Sequence, residues 1–137
     1  MAHPFDEGVL LSGIGALRDL PDGIGAVVSL CRIGDDDVRR DVPHVEVRLI
    51  DREDSNENPH LDFVLLEAVR AIERLRSEGR TVLLHCVAAH SRTPSVAALY
   101  GMRLRGVGAD EALRAVGAVL PDASPNAAFR DALRRFG

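Results

Sequence analysis

The chain contains no lysine. All 17 of its basic residues are arginine, scattered among 21 acidic residues for a formal net charge of -4 at pH 7. Scattered arginines form no basic stripe of the kind that nucleic acid or an anionic lipid surface requires, so neither is expected as a partner. The lysine deficit, with Ala, Gly and Arg abundant, fits a GC-rich coding sequence and predicts a high-GC bacterial source. No apolar run approaches the ~20 residues of a membrane span. The opening stretch, MAHPFDEGVLLSG, lacks the basic start, apolar core and small-residue cleavage site of a secretory signal, which predicts the cytoplasm. Cysteine is scarce as well. Cys31 and Cys86 alone make no disulfide framework, and no clustered set of Cys and His has zinc spacing, so neither metal nor cofactor is expected.

No repeat, low-complexity tract or Pro/Ser-rich linker divides the 137 residues, which predicts one domain over 1–137 with one site. Strand-like runs alternate with helical periodicities from start to finish, the pattern of an α/β domain. Val9 to Leu11 and Ala26 to Leu30 are short apolar runs bounded by Gly, Pro and Asp; the second suits a strand covered on both faces. A short helix fits between them. Val45 to Ile50 alternates apolar and polar residues, as a strand lying towards an edge does. Leu61, Val64, Leu65, Ala68, Ile72 and Leu75 recur at helical spacing, with Gly79 as the stop. Thr81 to Cys86 reads as the most buried strand, and Pro94 suits the first turn of the helix that follows. Two further helices carry Leu113, Val116 and Leu120 on one face, then Phe129, Ala132, Leu133 and Phe136 on another, with Ser124 and Pro125 placed as N-cap and N1. These elements predict a three-layer α/β/α sandwich around a four- or five-stranded, mainly parallel sheet with helices on both sides.

The segment HCVAAHSRTP, residues 85–94, is therefore a strand end, a loop and a helix start. In open α/β sheets ligands bind beyond the carboxyl ends of the strands, where Cys86 lies. Val87, Ala88, Ala89 and Ser91 are small, so successive N–H groups of residues 87–92, His90 included, can turn around an anion at the helix N-terminus. Arg92 can grip two phosphate oxygens with its planar fork. Such positive surroundings favour the thiolate form of Cys86, the nucleophilic form. A shuffled chain of this composition would place His before, Arg six after and Ser or Thr seven after a cysteine about once in two thousand trials.

His85, Cys86, Arg92 and Thr93 resemble the His-Cys-x5-Arg-Ser/Thr loop of the cysteine-dependent protein phosphatases, and the short chain is similar to their dual-specificity branch. SPNAAF, residues 124–129, resembles the Pro-Asn-x-x-Phe element of that branch, and the strand ending LID before a long helix matches the place of the family's acid. The resemblance covers most of the chain, from about Val9 to the end. It implies attack by Cys86 on phosphorus to give a phosphocysteine, oxygens held by Arg92 and the loop amides, and release of phosphate by water. It gives His85 the role of orienting the loop and Thr93 that of hydrogen-bonding the sulfur. The general acid falls to Asp51, which follows the strand directly, or next to Asp54. One departure stands out: the family loop carries Gly three residues after the cysteine, where this chain has Ala89. If that position needs φ > 0, the Cβ costs about 1 kcal/mol or more. The loop lacks the long basic residues of phosphoinositide-selective relatives, and Asp51, Glu53, Asp54 and Glu57 near the mouth would repel polyanions. A phosphoprotein or small monoester is the expected substrate.

Plainer readings exist for the same residues. Cysteine is often a buried, inert strand residue, Arg92 can be a solvated first-turn residue, and Asp is common at strand ends. His90 reads as exposed, Pro125 and Asn126 as structural. Cys31 reads as core, although a disulfide with Cys86 is open if their Cα atoms lie within ~7 Å. The alternatives to a phosphatase are a phosphate-binding module with little turnover, or an arsenate reductase-like or sulfurtransferase enzyme, whose thiol relay would need Cys31.

Overall fold

In the computed structural model, which describes residues 1–17, 19–33, 41–53 and 58–137, the strands are β1 (Ala2–His3), β2 (Asp6–Ser12), β3 (Ala26–Ser29), β4 (His44–Glu46) and β5 (Val82–His85). They form one sheet in the order β1-β2-β5-β3-β4, parallel except for β1. The continuous apolar runs occupy its middle: β3 and β5 are buried along their whole length, as strands covered on both faces must be. The alternating run lies at the edge, as its pattern predicts, but the ladder covers only three residues. The chain continues to follow its neighbour beyond Glu46, with Val47 N–H donating to Ser29 O (2.8 Å) and Leu49 N–H to Leu30 O (3.1 Å). The regular strand ends because β3 itself ends at Ser29.

The helices are α1 (Leu61–Ser77), α2 (Arg92–Arg105), α3 (Ala109–Val119) and α4 (Ala127–Phe136). Gly79, in the left-handed region at φ 79°, stops α1 with its N–H on Arg76 O at 2.9 Å. Every residue of α2 from Thr93 to Met102 is buried, since α1, α3 and α4 all pack against it. The sandwich has unequal layers. Side chains from all four helices join one cluster with Val9, Leu11, Val28, Val82 and Leu84 of the sheet. The other face is covered, among the described residues, by a single 3-10 turn (Ile14–Leu17) and flanking loop residues packed on Val27 and Leu83. α4 begins two residues later than the Ser124/Pro125 expectation. Asn126 takes the N-cap position because its Oδ1 accepts the N–H of Phe129 at 3.0 Å. No helix among the described residues is long and apolar enough to cross a membrane.

At the other end of the sheet, Asp6 is gripped through both oxygens by Arg76 (2.9 and 3.0 Å) and accepts Tyr100 Oη–H at 2.6 Å. Burial opposes the charge on Asp6, but these donors outweigh it and hold the carboxyl below its usual range. The Arg76 guanidinium lies directly over Gly8, where an added Cβ would collide with Arg76 Cζ. That triad ties β2 to α1 and α2 where no chemistry is expected.

Candidate active site

β5 lies between β2 and β3, so the loop leaving it rises from the centre of the sheet. Cys86, the first residue after the strand, is only 2% exposed, while Val87 behind it is 54% exposed. The chain therefore turns sharply outward and back. The turn is made at Ala89, the only non-glycine residue with positive φ (60°) among the described residues, and it aims the Ala89 N–H at Cys86 Sγ over 3.2 Å. The position where the sequence departs from the family glycine is thus the one that needs glycine's conformation.

The loop's carbonyls are held from outside. Val87 O accepts Ile14 N–H (3.0 Å), His90 O accepts Ser124 N–H (2.5 Å), and Ser91 O accepts both the N–H (3.1 Å) and the hydroxyl (2.7 Å) of Ser95. The N–H groups of Val87, Ala88, His90, Ser91 and Arg92 have no acceptor among the described residues. Open amides around a sulfur at the start of a 14-residue helix make a cradle for an oxyanion. Gly13, immediately after β2, supports it: a Cβ there would meet Val87 O at 2.9 Å. Nothing in the sequence around Gly13 signalled that approach.

His85 is fully buried, and the strand register explains its partner, because Ser29 stands opposite it in the β3–β5 ladder. Ser29 Oγ lies 2.5 Å from His85 Nε2 and 2.9 Å from Nε2 of the exposed His44. Burial pushes the His85 imidazole below its ordinary value, the Cys86 carbonyl pulls the other way, and the nearby His44 and Arg92 add to the lowering. The ring is therefore neutral at pH 7. A consistent proton arrangement has Nδ1–H towards Cys86 O (3.4 Å) and Ser29 donating to Nε2. Ser29 and His44 escaped the sequence reading; the one available signal was a serine inside an otherwise apolar run.

Thr93 is buried beside the loop, and its hydroxyl has no hydrogen-bond partner among the described residues. The expected bond to the sulfur is not made in this state; Sγ receives the Ala89 N–H instead. Arg92 is half-buried and donates from Nη1 to Leu49 O at 3.3 Å, joining the loop to the chain beyond β4. Cys31 is a buried thiol whose deprotonation is disfavoured by burial, eased by Arg92 and hindered by Cys86. It behaves as core in this structure.

The candidate acid Asp51 is exposed and accepts Asn126 Nδ2–H at 2.9 Å; Asp54 lies outside the described residues. Asn126 does more than cap α4. Its backbone N–H donates to Ser91 Oγ (3.0 Å), while Ala127 N–H donates to Glu53 Oε1 (3.3 Å). One residue, read from the sequence as structural, thus binds the cysteine loop, the acid loop and the last helix together.

Comparison with known proteins is consistent with this geometry. The family described as "Dual specificity phosphatase, catalytic domain" matches residues 23–137. Dual specificity protein phosphatase 22-A of Danio rerio is 30% identical over 115 residues, covering 84% of this chain and 53% of the relative. Dual specificity protein phosphatase 1 of Arabidopsis thaliana is 36% identical over 83 residues, 61% of this chain and 40% of the relative. The chain spans less than half the length of the first curated relatives it matches. Among solved structures, human DUSP28 superposes with a TM-score of 0.83 at 22% identity, covering 96% of this chain and 92% of that one. A mouse putative dual specificity phosphatase, complexed with zinc tungstate, gives 0.82 at 25% identity, covering 99% of this chain and 87% of that one.

Proposed function

The chain belongs to the family of dual specificity phosphatase catalytic domains, and from that premise we propose that residues 1–137 act as one unit hydrolysing phosphomonoesters through Cys86. The observation that carries the reading is the curl of residues 87–91 around the sulfur, with Ala89 N–H on Sγ and the neighbouring amides open. Cys86 thiolate attacks phosphorus in line with the leaving oxygen, and the open amides with Arg92 hold the three equatorial oxygens. Asp51, in its acid form, gives its proton to that oxygen as the P–O bond breaks. Water then attacks the phosphocysteine, with Asp51 now taking the proton, and the thiolate leaves. The buried Thr93 hydroxyl, without a partner before reaction, is the donor for the sulfur as it departs. His85, neutral and fixed by Ser29, orients the Cys86 carbonyl and hence the loop.

The substrate is a phosphorylated protein or a small phosphomonoester, and the mechanism calls on no metal or cofactor. A free nucleophilic thiol suits the reducing cytoplasm, and the lysine-free composition supports a bacterial source. An arsenate reductase-like relay is disfavoured, because Cys31 is the sole further thiol and burial keeps it protonated. The test is aryl phosphate hydrolysis across pH with EDTA present, for the wild type, Cys86→Ser and Asp51→Asn. The expected result is turnover abolished by Cys86→Ser, with the basic-side fall of the pH profile flattened by Asp51→Asn. An unchanged profile in Asp51→Asn moves the acid to Asp54. An inert wild type that still binds vanadate would overturn the hydrolase reading in favour of a phosphate-binding module.

A further inference from the structure

Val27 and Leu83 face the thinly covered side of the sheet, and by strand alternation so do Ser29 and His85, two residues further along β3 and β5. His44 stands beside Val27 in the β3–β4 ladder, and its ring reaches forward to Ser29. One hydroxyl therefore separates the fully buried His85 from an exposed histidine on the edge strand. Ser29 Oγ touches Nε2 of both rings and carries a single proton, so it can donate to only one of them and the other must donate to it. Two arrangements keep both bonds. In the first, His44 Nε2–H donates to Ser29, Ser29 donates to His85 Nε2, and the His85 proton sits on Nδ1, facing Cys86 O at 3.4 Å. In the second every bond runs the other way, and an unprotonated Nδ1 faces the lone pairs of that carbonyl. The peptide plane carries the difference into the cradle. Cys86 O and Val87 N–H belong to one rigid unit, so whatever turns the carbonyl also turns an amide that has no acceptor among the described residues.

We propose that His44 is a positioning residue for the phosphate cradle: by donating to Ser29 it holds His85 in the Nδ1–H tautomer and so aims the Val87 amide at the bound oxyanion. The proposal rests on the phosphatase reading, since it takes the anion to lie in the loop of residues 86–92. Burial and the positive charge of Arg92 both discourage a second proton on His85, which leaves the choice between its two neutral tautomers as the one to be made. His44 makes that choice through two other residues and from the edge of the sheet.

The experiment compares His44→Gln with His44→Glu, side chains of one shape of which only the first can donate, each with and without Ser29→Ala. Long-range proton–nitrogen correlation on the 15N-labelled protein at about pH 8 reads which nitrogen of His85 carries the proton, and orthovanadate affinity reads the cradle. The expected result is Nδ1–H in the wild type and in His44→Gln, with affinities within about twofold of each other. His44→Glu should move the proton to Nε2 and weaken vanadate about tenfold, and Ser29→Ala should erase the difference between Gln and Glu. Overturning results are one tautomer in both variants, or a reversed tautomer that leaves vanadate affinity unchanged. A Glu penalty that survives Ser29→Ala in proteins of wild-type melting temperature is charge acting through space, and it overturns the proposal as well. Aryl phosphate turnover by the wild type reports on the phosphatase reading separately, and the tautomer and vanadate arms read the role of His44 even where turnover is absent.

Discussion

Replacing Ala89 with glycine should stabilise the protein, although it removes atoms from a half-buried loop. At φ 60° the Cβ of Ala89 crowds the following carbonyl, a conformation that costs an L-residue about 1–2 kcal/mol. Glycine escapes that strain but loses more freedom on folding, by about 0.5–1 kcal/mol. The net gain is ~0–1.5 kcal/mol. For a chain of this length 1 kcal/mol corresponds to about 3 °C, so Ala89→Gly should raise Tm by about 0–5 °C. Ala89→Val adds a branched side chain at the same backbone angle and should lower Tm by at least about 3 °C. Thermal unfolding followed by circular dichroism measures both. The N–H that meets Cys86 Sγ survives in either variant, so kcat/KM on an aryl phosphate should be equal or higher in the glycine protein. A fall of more than about 3 °C for Ala89→Gly, or a valine variant as stable as the glycine one, would refute the argument that this turn stores strain.

Asn126→Ala removes the cap on Phe129 N–H and the donor to Asp51; it should cost about 1 kcal/mol of stability. Its kcat/KM should fall more on phosphopeptides, whose leaving group needs the acid, than on an activated aryl phosphate, and equal losses would contradict the clamp. Gly13→Ala puts a Cβ 2.9 Å from Val87 O; backbone cannot swing aside, so the variant should lose about 1–3 kcal/mol in urea unfolding and tenfold or more in kcat/KM. His3 accepts Phe5 N–H at Nδ1 (3.0 Å) and meets Ala97 O through Nε2 (2.7 Å), and burial holds it below its ordinary value, as it does His85. A histidine with a depressed folded pKa binds fewer protons folded than unfolded, so its stabilisation is complete above about pH 6.5 and is lost as pH falls through the folded value. Tm should therefore decline below about pH 6.5, and His3→Gln should make that decline shallower while lowering Tm at pH 8.

Sequence legibility followed how local each signal was. The runs that became β2, β3 and β5 and the periodicity that became α1 were readable because burial writes itself into consecutive residues. β1 was not readable: two residues pair with β2 only because the chain folds back on itself there. The placing of all four helices on one face was equally hidden, since the 3-10 turn on the other face is only four residues long, too short to show a period in the sequence. Within the site, Cys86, Arg92 and His85 stood out by spacing along one loop. Ser29 and Gly13 did not, and Asn126 stood out only as a structural residue of the SPNAAF segment, because each acts on residues far away in the chain: His85, Val87 and Asp51.

The Asn126 clamp also orders events in time. His85 to Thr93 leave the ribosome well before the segment that holds them, and the contacts of Ser124 and Asn126 with His90, Ser91 and Asp51 arrive with the last helix. A growing chain therefore carries residues 85–93 before it carries Asn126, the N-cap of α4 that fastens them to Asp51, so this fastening is a late tertiary contact and not part of the local turn.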